Sequence, residues 1–514
     1  MSRTIVVSNR VSVPRPGKSA SAGGLEVAIR ESLRDRPVIW FGWSGKISDK
    51  DTAPRHSHHD GIEYVVSDLT PTEHAEFYKG FANSVLWPVL HYRLDLAEFN
   101  NRDWSGYLGV NQRLADQLFA LLQPNDVIWV HDYHFIPFAK ALRDLGCRNR
   151  IGFFLHVPLP PPEILTAMPN YQHLLPTFAA YDLIGFQTDN CAANFARFLA
   201  QEFGLPNHVP ISSLGGPPSV RIGTFPVGIA VEDFRRRAER SIESAYVRRV
   251  CESLNGALII GVDRLDYSKG LALRLQAYEH FLDSHPDWEG KATYLQITPK
   301  SRSQIRQYAD MQQSLERAAG RISGAYGSAH WTPIRYINRA HSRKELAGLY
   351  RAARVGLVTP LRDGMNLVAK EYVAAQNPED PGVLVLSKFA GAAVELKAAL
   401  IVNPYDREAV AQAIARALEM PLAERRQRHA ALYEALRRND IAEWGSRFLT
   451  ALEKGGQRSA SDRRAFAWTA RDGLAVSPLP DSTINLRPKR TDAAAQETPA
   501  ALPKPGVSQT RRLN

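Results

Sequence analysis

VGLVTPLRDGMNLVAKEYVAAQ, residues 355–376, is the stretch from which the fold of this chain can be read. An apolar, β-branched run of Val355, Leu357, Val358 and Thr359 breaks at Pro360, Asp363 and Gly364. After the break Leu367, Val368, Tyr372 and Val373 recur at helical spacing, so the pattern predicts strand, tight turn, helix. Such a turn aims backbone N–H groups and the positive end of a helix dipole at one point, which suits a phosphate or an electron-rich sugar oxygen. Gly364 would let a ligand approach the backbone closely. An empty strand-to-helix connection would look similar. Four charged residues in this one segment, Arg362, Asp363, Lys370 and Glu371, favour a working turn.

Working outward, the same layout recurs. Ala257 to Val262 is a buried-strand run followed by the polar turn Asp263-Arg264-Leu265-Asp266-Tyr267-Ser268-Lys269-Gly270. Thr4 to Val7 ends in Ser8-Asn9-Arg10, then the loop with Gly23 and Gly24, then a helical run from Leu25. The loop lacks GxGxxG, and Gly23-Gly24 by itself is also compatible with a plain loop. Arg10 at a strand end would project into the crevice where open parallel sheets bind ligands. Asp126 to Val130 and Ile151 to Leu155 are two further strands, delivering Asp132 and His156 to one sheet edge. His131 and His134 lack a third ligand at metal spacing, so no metal site is read there. The aromatic segment 77–92, FYKGFANSVLWPVLHY, reads as core, with Tyr78 and Trp87 also able to stack on sugar faces. The pattern restarts near residue 235. Two copies of one α/β logic predict two doubly wound, Rossmann-like sheets facing each other across a cleft.

The chain has 514 residues, 44% hydrophobic and 23% charged, enough for two domains and a further segment. No run reaches the roughly 18–20 apolar residues of a membrane span, and MSRTIVVSNR has no secretory pattern, so a cytoplasmic protein is expected. Three scattered cysteines, Cys147, Cys191 and Cys251, suggest neither a zinc site nor a disulfide framework. Of the net charge of +11, residues 456–514 hold +5, from ten basic and five acidic side chains. That Pro-, Ala- and Ser-rich tail reads as disordered, and its charge does not argue for nucleic-acid binding.

Arg264 and Lys269, five apart across a turn, could neutralise a diphosphate leaving group without a divalent ion. Asp49-Lys50-Asp51, the only Asp-x-Asp, lies in a polar loop and poorly supports a metal clamp.

Taken together, VVSNR, SAGGL, WFGWSGK, VLWPVLHYRLD, VIWVHDYH, IGFFLHVPLP, GFQT, VDRLDYSKG, AYGSAHWTPIRY and GLVTPLRDGMNLVAKEYVAAQ occur in an order that resembles trehalose-6-phosphate synthases, especially the bacterial ones. These are retaining glycosyltransferases of the B-type fold, and the resemblance runs from about residue 3 to about 452. It implies an acceptor-binding domain over 1–235 and a nucleotide-sugar domain over 236–455, with 456–514 as the tail. It places glucose 6-phosphate on Arg10, Tyr78, Asp132 and Arg302. It places UDP-glucose on Gly23, Gly24, Arg264, Lys269, His341, Asp363 and the run Leu367, Val368, Ala369, Lys370 and Glu371. Trp87 and His156 fall, with Asp363, where the reacting anomeric centres lie. His341 stands where a larger apolar residue is common, and Asp263 replaces a frequent Glu. The resemblance further implies no cofactor or metal, no nucleic-acid or membrane partner, a homo-oligomer, and closure of the two domains on their substrates. Transfer to another phosphorylated acceptor, such as glycerol 3-phosphate, is the neighbouring reading. A dinucleotide oxidoreductase would also use two Rossmann-like sheets but needs the missing GxGxxG, and a sugar-sensing relative without turnover would not need the full charged set.

Overall fold

The computed structural model of the chain describes residues 3–14, 29–30, 32–33, 36–50, 53–203, 221–254, 256–300 and 306–454. Gly23, Gly24, Arg302 and the tail fall outside these residues.

Among the described residues fourteen strands form two sheets. The first is built from β1 (Thr4–Arg10), β2 (Val38–Ile47), β3 (Arg55–His59), β4 (Ile62–Leu69), β5 (Val127–His131), β6 (Arg150–Phe154), β7 (Leu183–Phe186) and β8 (Arg221–Thr224). Their order is β3-β4-β2-β1-β5-β6-β7-β8, with every pairing parallel except the β3–β4 edge. The second sheet holds β9 (Ala257–Val262), β10 (Ala292–Ile297), β11 (Ile334–Ile337), β12 (Val355–Val358), β13 (Val383–Ser387) and β14 (Leu400–Val402). It is wholly parallel, in the order β11-β10-β9-β12-β13-β14. Strands flanked on both sides need no alternation, which is why β5 (VIWVH) and β13 (VLVLS) read as continuous buried runs.

In each sheet the chain winds outward one way from a central strand and then the other, leaving a crevice where the direction reverses. The reversal lies between β1 and β5 in the first sheet and between β9 and β12 in the second. The strands separate there. β1 and β5 are in register only from Thr4↔Val127 to Val7↔Val130, and β9 and β12 meet at just two positions, Ile259↔Val355 and Ile260↔Gly356. The segments following these strands, Arg10, Asp132, Asp263 to Gly270 and Thr359 to Gly364, therefore open into the two crevices.

The last helix, Ile441–Lys454, departs from the division drawn at 236–455. It follows the second sheet in sequence but lies on the first. Its Trp444 and Phe448 rings meet Trp129 at 4.9 and 4.8 Å, and Arg221 donates to the Ala451 carbonyl at 2.5 Å. The fit needs bare backbone underneath, since a β-carbon on Gly152 or Gly185 would come within 2.8 Å of the Phe448 ring. Arg36 and Glu453 close the contact at 2.7 Å.

Candidate active site

The second sheet supplies the charged side of the site. After β9 the chain makes a one-turn helix, Tyr267–Lys269, capped by the Asp266 carboxylate, which accepts the Ser268 N–H at 3.0 Å. Gly270 follows at φ +66°, a left-handed conformation that a β-carbon would strain, and opens the helix Leu271–Ser284. This winding turns Lys269 back across the crevice, where its Nζ lies 2.5 Å from Asp363. The turn holding Asp363 is fixed from both sides. Leu361 N–H donates to the Ser268 carbonyl at 2.7 Å, and Asp363 N–H donates to the Phe389 carbonyl at 3.1 Å. Asn366, at φ +82°, caps the helix Leu367–Ala375 by accepting the Ala369 N–H and donates its amide to Asp363, both at 3.0 Å. A cap of this kind stabilises a helix by about 1 kcal/mol. Asp263, the position where Glu is more frequent, is buried against Arg274, which also donates to Thr359 at 2.8 Å, so it braces the turn from below.

The first sheet supplies an aromatic, mostly uncharged side. Tyr78 lies in a wide π-wound helix, His74–Leu86, a winding that recurs at functional sites. Its ring sits 5.2 Å from Trp43 and 5.4 Å from His74. Trp87 begins the next helical turn and is buried. Asp132, at φ +74°, accepts the His156 N–H at 3.3 Å, joining the ends of β5 and β6 as expected of neighbouring strands. His156 in turn lies 3.0 Å from His131, nitrogen to nitrogen. Burial beside Phe154 and Trp444 pushes His156 down to about 3, so its imidazole is neutral at ordinary pH. Arg10 is exposed at the end of β1, its guanidinium lying over Gly45.

The two sides meet at side chains the sequence singled out and at others it did not. The Arg264 guanidinium stands 5.9 Å from the Trp87 ring. Arg362 lies 4.1 Å over Tyr92, and Arg93 lies 5.5 Å over Tyr267, so each half places an arginine on an aromatic ring of the other. Such contacts contribute about 0.5–1 kcal/mol each where exposed. His91 was missed. It is buried, its Nδ1 lies 2.8 Å from the Trp87 carbonyl, and burial takes it down to about 4 against the pull of the Asp266 charge.

Two expectations need correction. Gly364 is not bare for a ligand, because the His156 carbonyl oxygen occupies the place of its missing β-carbon. The glycine lets the two halves of the chain touch. Lys370 does not present its charge to the cleft. It is fully buried, donates to the Val227 carbonyl at 2.7 Å, and pairs with Glu395. Desolvation lowers its proton affinity while Glu395 opposes the shift. Within the run Leu367 to Glu371, what is left to meet a ligand is the helix's first turn and Glu371, which lies 3.7 Å from Arg343. His341 is buried with its Nε2 2.8 Å from the Tyr246 hydroxyl. Among the described residues no cluster of His, Cys, Asp or Glu is built to hold a metal ion.

Two parallel sheets whose reversal crevices face one another, one cationic and one aromatic, define a nucleotide-sugar glycosyltransferase of the B-type fold. The model of glycosyltransferase family 20 matches residues 2–454, and the chain belongs to that family. It is 50% identical over 463 residues to a trehalose-6-phosphate synthase of Sinorhizobium fredii, covering 89% of this chain and 100% of the relative. It is 42% identical to the Burkholderia xenovorans UDP-forming α,α-trehalose-phosphate synthase solved with glucose-6-phosphate, with a TM-score of 0.83 over 88% of this chain and 100% of that one. The Escherichia coli enzyme bound with UDP-2-fluoro glucose is 46% identical, with a TM-score of 0.83 over 89% and 100%.

Proposed function

We infer that the chain transfers glucose from UDP-glucose to the anomeric hydroxyl of glucose 6-phosphate with retention, giving α,α-trehalose 6-phosphate and UDP. The observation that carries this is the position of Lys269 and Arg264. Both stand at the reversal crevice of the second sheet, one on Asp363 and the other on Trp87 of the opposite half. A diphosphate bound there meets two cations at the moment its charge develops, where preorganised donors lower a barrier most. Arg10 and Asp132, at the reversal crevice of the first sheet, suit a phosphate and sugar hydroxyls respectively. Arg302, Gly23 and Gly24 complete the two sets as the family resemblance places them.

In the reaction the C1–O bond to the diphosphate breaks, its electron pair leaving with the phosphate oxygen. The acceptor hydroxyl attacks the same face, and its proton passes to that departing oxygen. Asp363 already accepts from Lys269 and Asn366, and Asp132 from the His156 backbone, so each of these carboxylates is held as an orienting group rather than poised as a nucleophile. A glucosyl–enzyme adduct trapped with a fluorinated donor would contradict this course. The cationic turn is offered in place of a metal. The cytoplasm, a homo-oligomer, and no role for nucleic acid or membrane complete the reading; among the described residues no helix is long and apolar enough to cross a membrane.

The test is UDP release from several nucleotide-glucose donors, with and without glucose 6-phosphate and with and without a chelator. Release that requires glucose 6-phosphate and ignores the chelator is expected. Release that stops with the chelator, or that glycerol 3-phosphate supports equally, would overturn the corresponding part.

A further inference from the structure

His131 is the last residue of β5 and is fully buried. Its Nδ1 is 3.0 Å from His156 Nε2, and the rings lie 5.3 Å apart at 28°. On its other side Nε2 faces the aromatic wall of Trp129 and Trp444, with ring centroids at 4.6 and 6.3 Å, and finds no hydrogen-bond partner among the described residues. Desolvation keeps both imidazoles neutral, so each carries a single proton.

Where His131 keeps that proton follows from the wall. A proton on Nε2 would be a buried N–H aimed at no acceptor, and it would leave His131 Nδ1 as an acceptor. A proton on Nδ1 makes the bond to His156 and leaves at Nε2 only an unused lone pair, the cheaper omission. With His131 donating, His156 Nε2 must accept, and the His156 proton then resides on Nδ1.

We propose that His131 is a positioning residue that fixes His156 in its Nδ1–H tautomer, so that His156 meets an electron-rich oxygen of the bound sugars as a neutral hydrogen-bond donor and not as a base. The backbone adds precision. The His156 N–H is held by Asp132, and its carbonyl abuts Gly364 of the donor side, so the ring is anchored where the two halves touch. The proposal rests on the reading that the reacting sugars lie beside His156, but the tautomer itself can be measured without turnover.

Long-range nitrogen–proton correlation spectra of the uniformly ¹⁵N-labelled full chain distinguish protonated from unprotonated ring nitrogens, with His156→Asn identifying the resonances. The expected result is a protonated Nδ1 and an unprotonated Nε2 on His156. Protonation at Nε2 in the wild-type chain would overturn the proposal, even if trehalose 6-phosphate synthesis is confirmed, and the expected tautomer would stand even if the acceptor proved different. His131→Asn places an amide N–H where Nδ1 stood, and should keep the tautomer and activity. His131→Leu should let the tautomers mix and lower kcat about tenfold, the scale of one misdirected hydrogen bond, with KM for glucose 6-phosphate little changed. Equal losses in the Asn and Leu variants, or an unchanged tautomer in the Leu variant, would contradict it.

Discussion

The crevice of the second sheet is cationic and braced by ion pairs, whereas that of the first is lined mainly by aromatic rings and neutral imidazoles, with Asp132 and the exposed Arg10. Lys269, Arg264 and Arg362 stand on one side. Tyr78, Trp87, His91 and His156 stand on the other. The same reversal of winding thus carries different chemistry in the two sheets, because the residues that follow the strands at the crevice differ. One half is suited to hold charge that grows during the reaction, the other to hold a sugar whose own charge stays distant from the reacting carbon.

The largest effect that would break this contrast is loss of the cation at the crevice. Lys269→Met keeps the aliphatic stem, removes the charge beside Asp363, and should lower kcat/KM for UDP-glucose by about 10²–10³-fold, the cost of removing a preorganised donor. An unchanged value in steady-state assays would mean the cationic side does not handle the diphosphate. Next in size is the seam between the halves. Gly364→Ala places a methyl group on the His156 carbonyl, so stability should fall by about 1–3 kcal/mol, as for overpacked sites, with activity falling further because the turn carrying Asp363 is displaced. Denaturant unfolding and turnover measured together would check it, and a fully active, fully stable variant would count against the seam.

The smallest effect sharpens the neutral side. His91 is held at about 4 in the folded chain, against an ordinary 6.5, because burial disfavours its charged form. As pH falls through about 6.5 the unfolded chain takes up a proton that the folded chain refuses until about 4. Stability present above that range is therefore lost toward acid, at up to roughly 1.4 kcal/mol per pH unit for this group. His91→Asn should flatten the slope of unfolding free energy between pH 6.5 and 5. An identical slope would show that His91 does not titrate this way.

Much of this was legible from local patterns. Strand runs followed at once by polar turns located Arg10, Asp132, Arg264, Lys269 and Asp363, since a doubly wound sheet carries such turns to its crevice. What was illegible depends on residues far away in the chain. Lys370 fits its helix like any surface lysine, and only the Val227 carbonyl and Glu395 reveal its burial. His131 looked like half of a weak metal pattern until β6 brought His156 to it. The last helix crosses to the first sheet because Gly152 and Gly185 leave room for Phe448, a fit invisible in either segment alone. β8 and the polar edge strand β3 are too short or too exposed to show a period.

Separate seats for the two phosphate-bearing sugars are tested most directly by calorimetric titration of UDP and of glucose 6-phosphate into Lys269→Met and Arg10→Ala. Lys269→Met should weaken UDP by at least about tenfold and leave glucose 6-phosphate nearly unchanged, and Arg10→Ala should do the reverse, as charge-assisted bonds to distinct phosphates require. If both variants lost the same ligand, or neither lost any, the division of labour between the two crevices would be wrong.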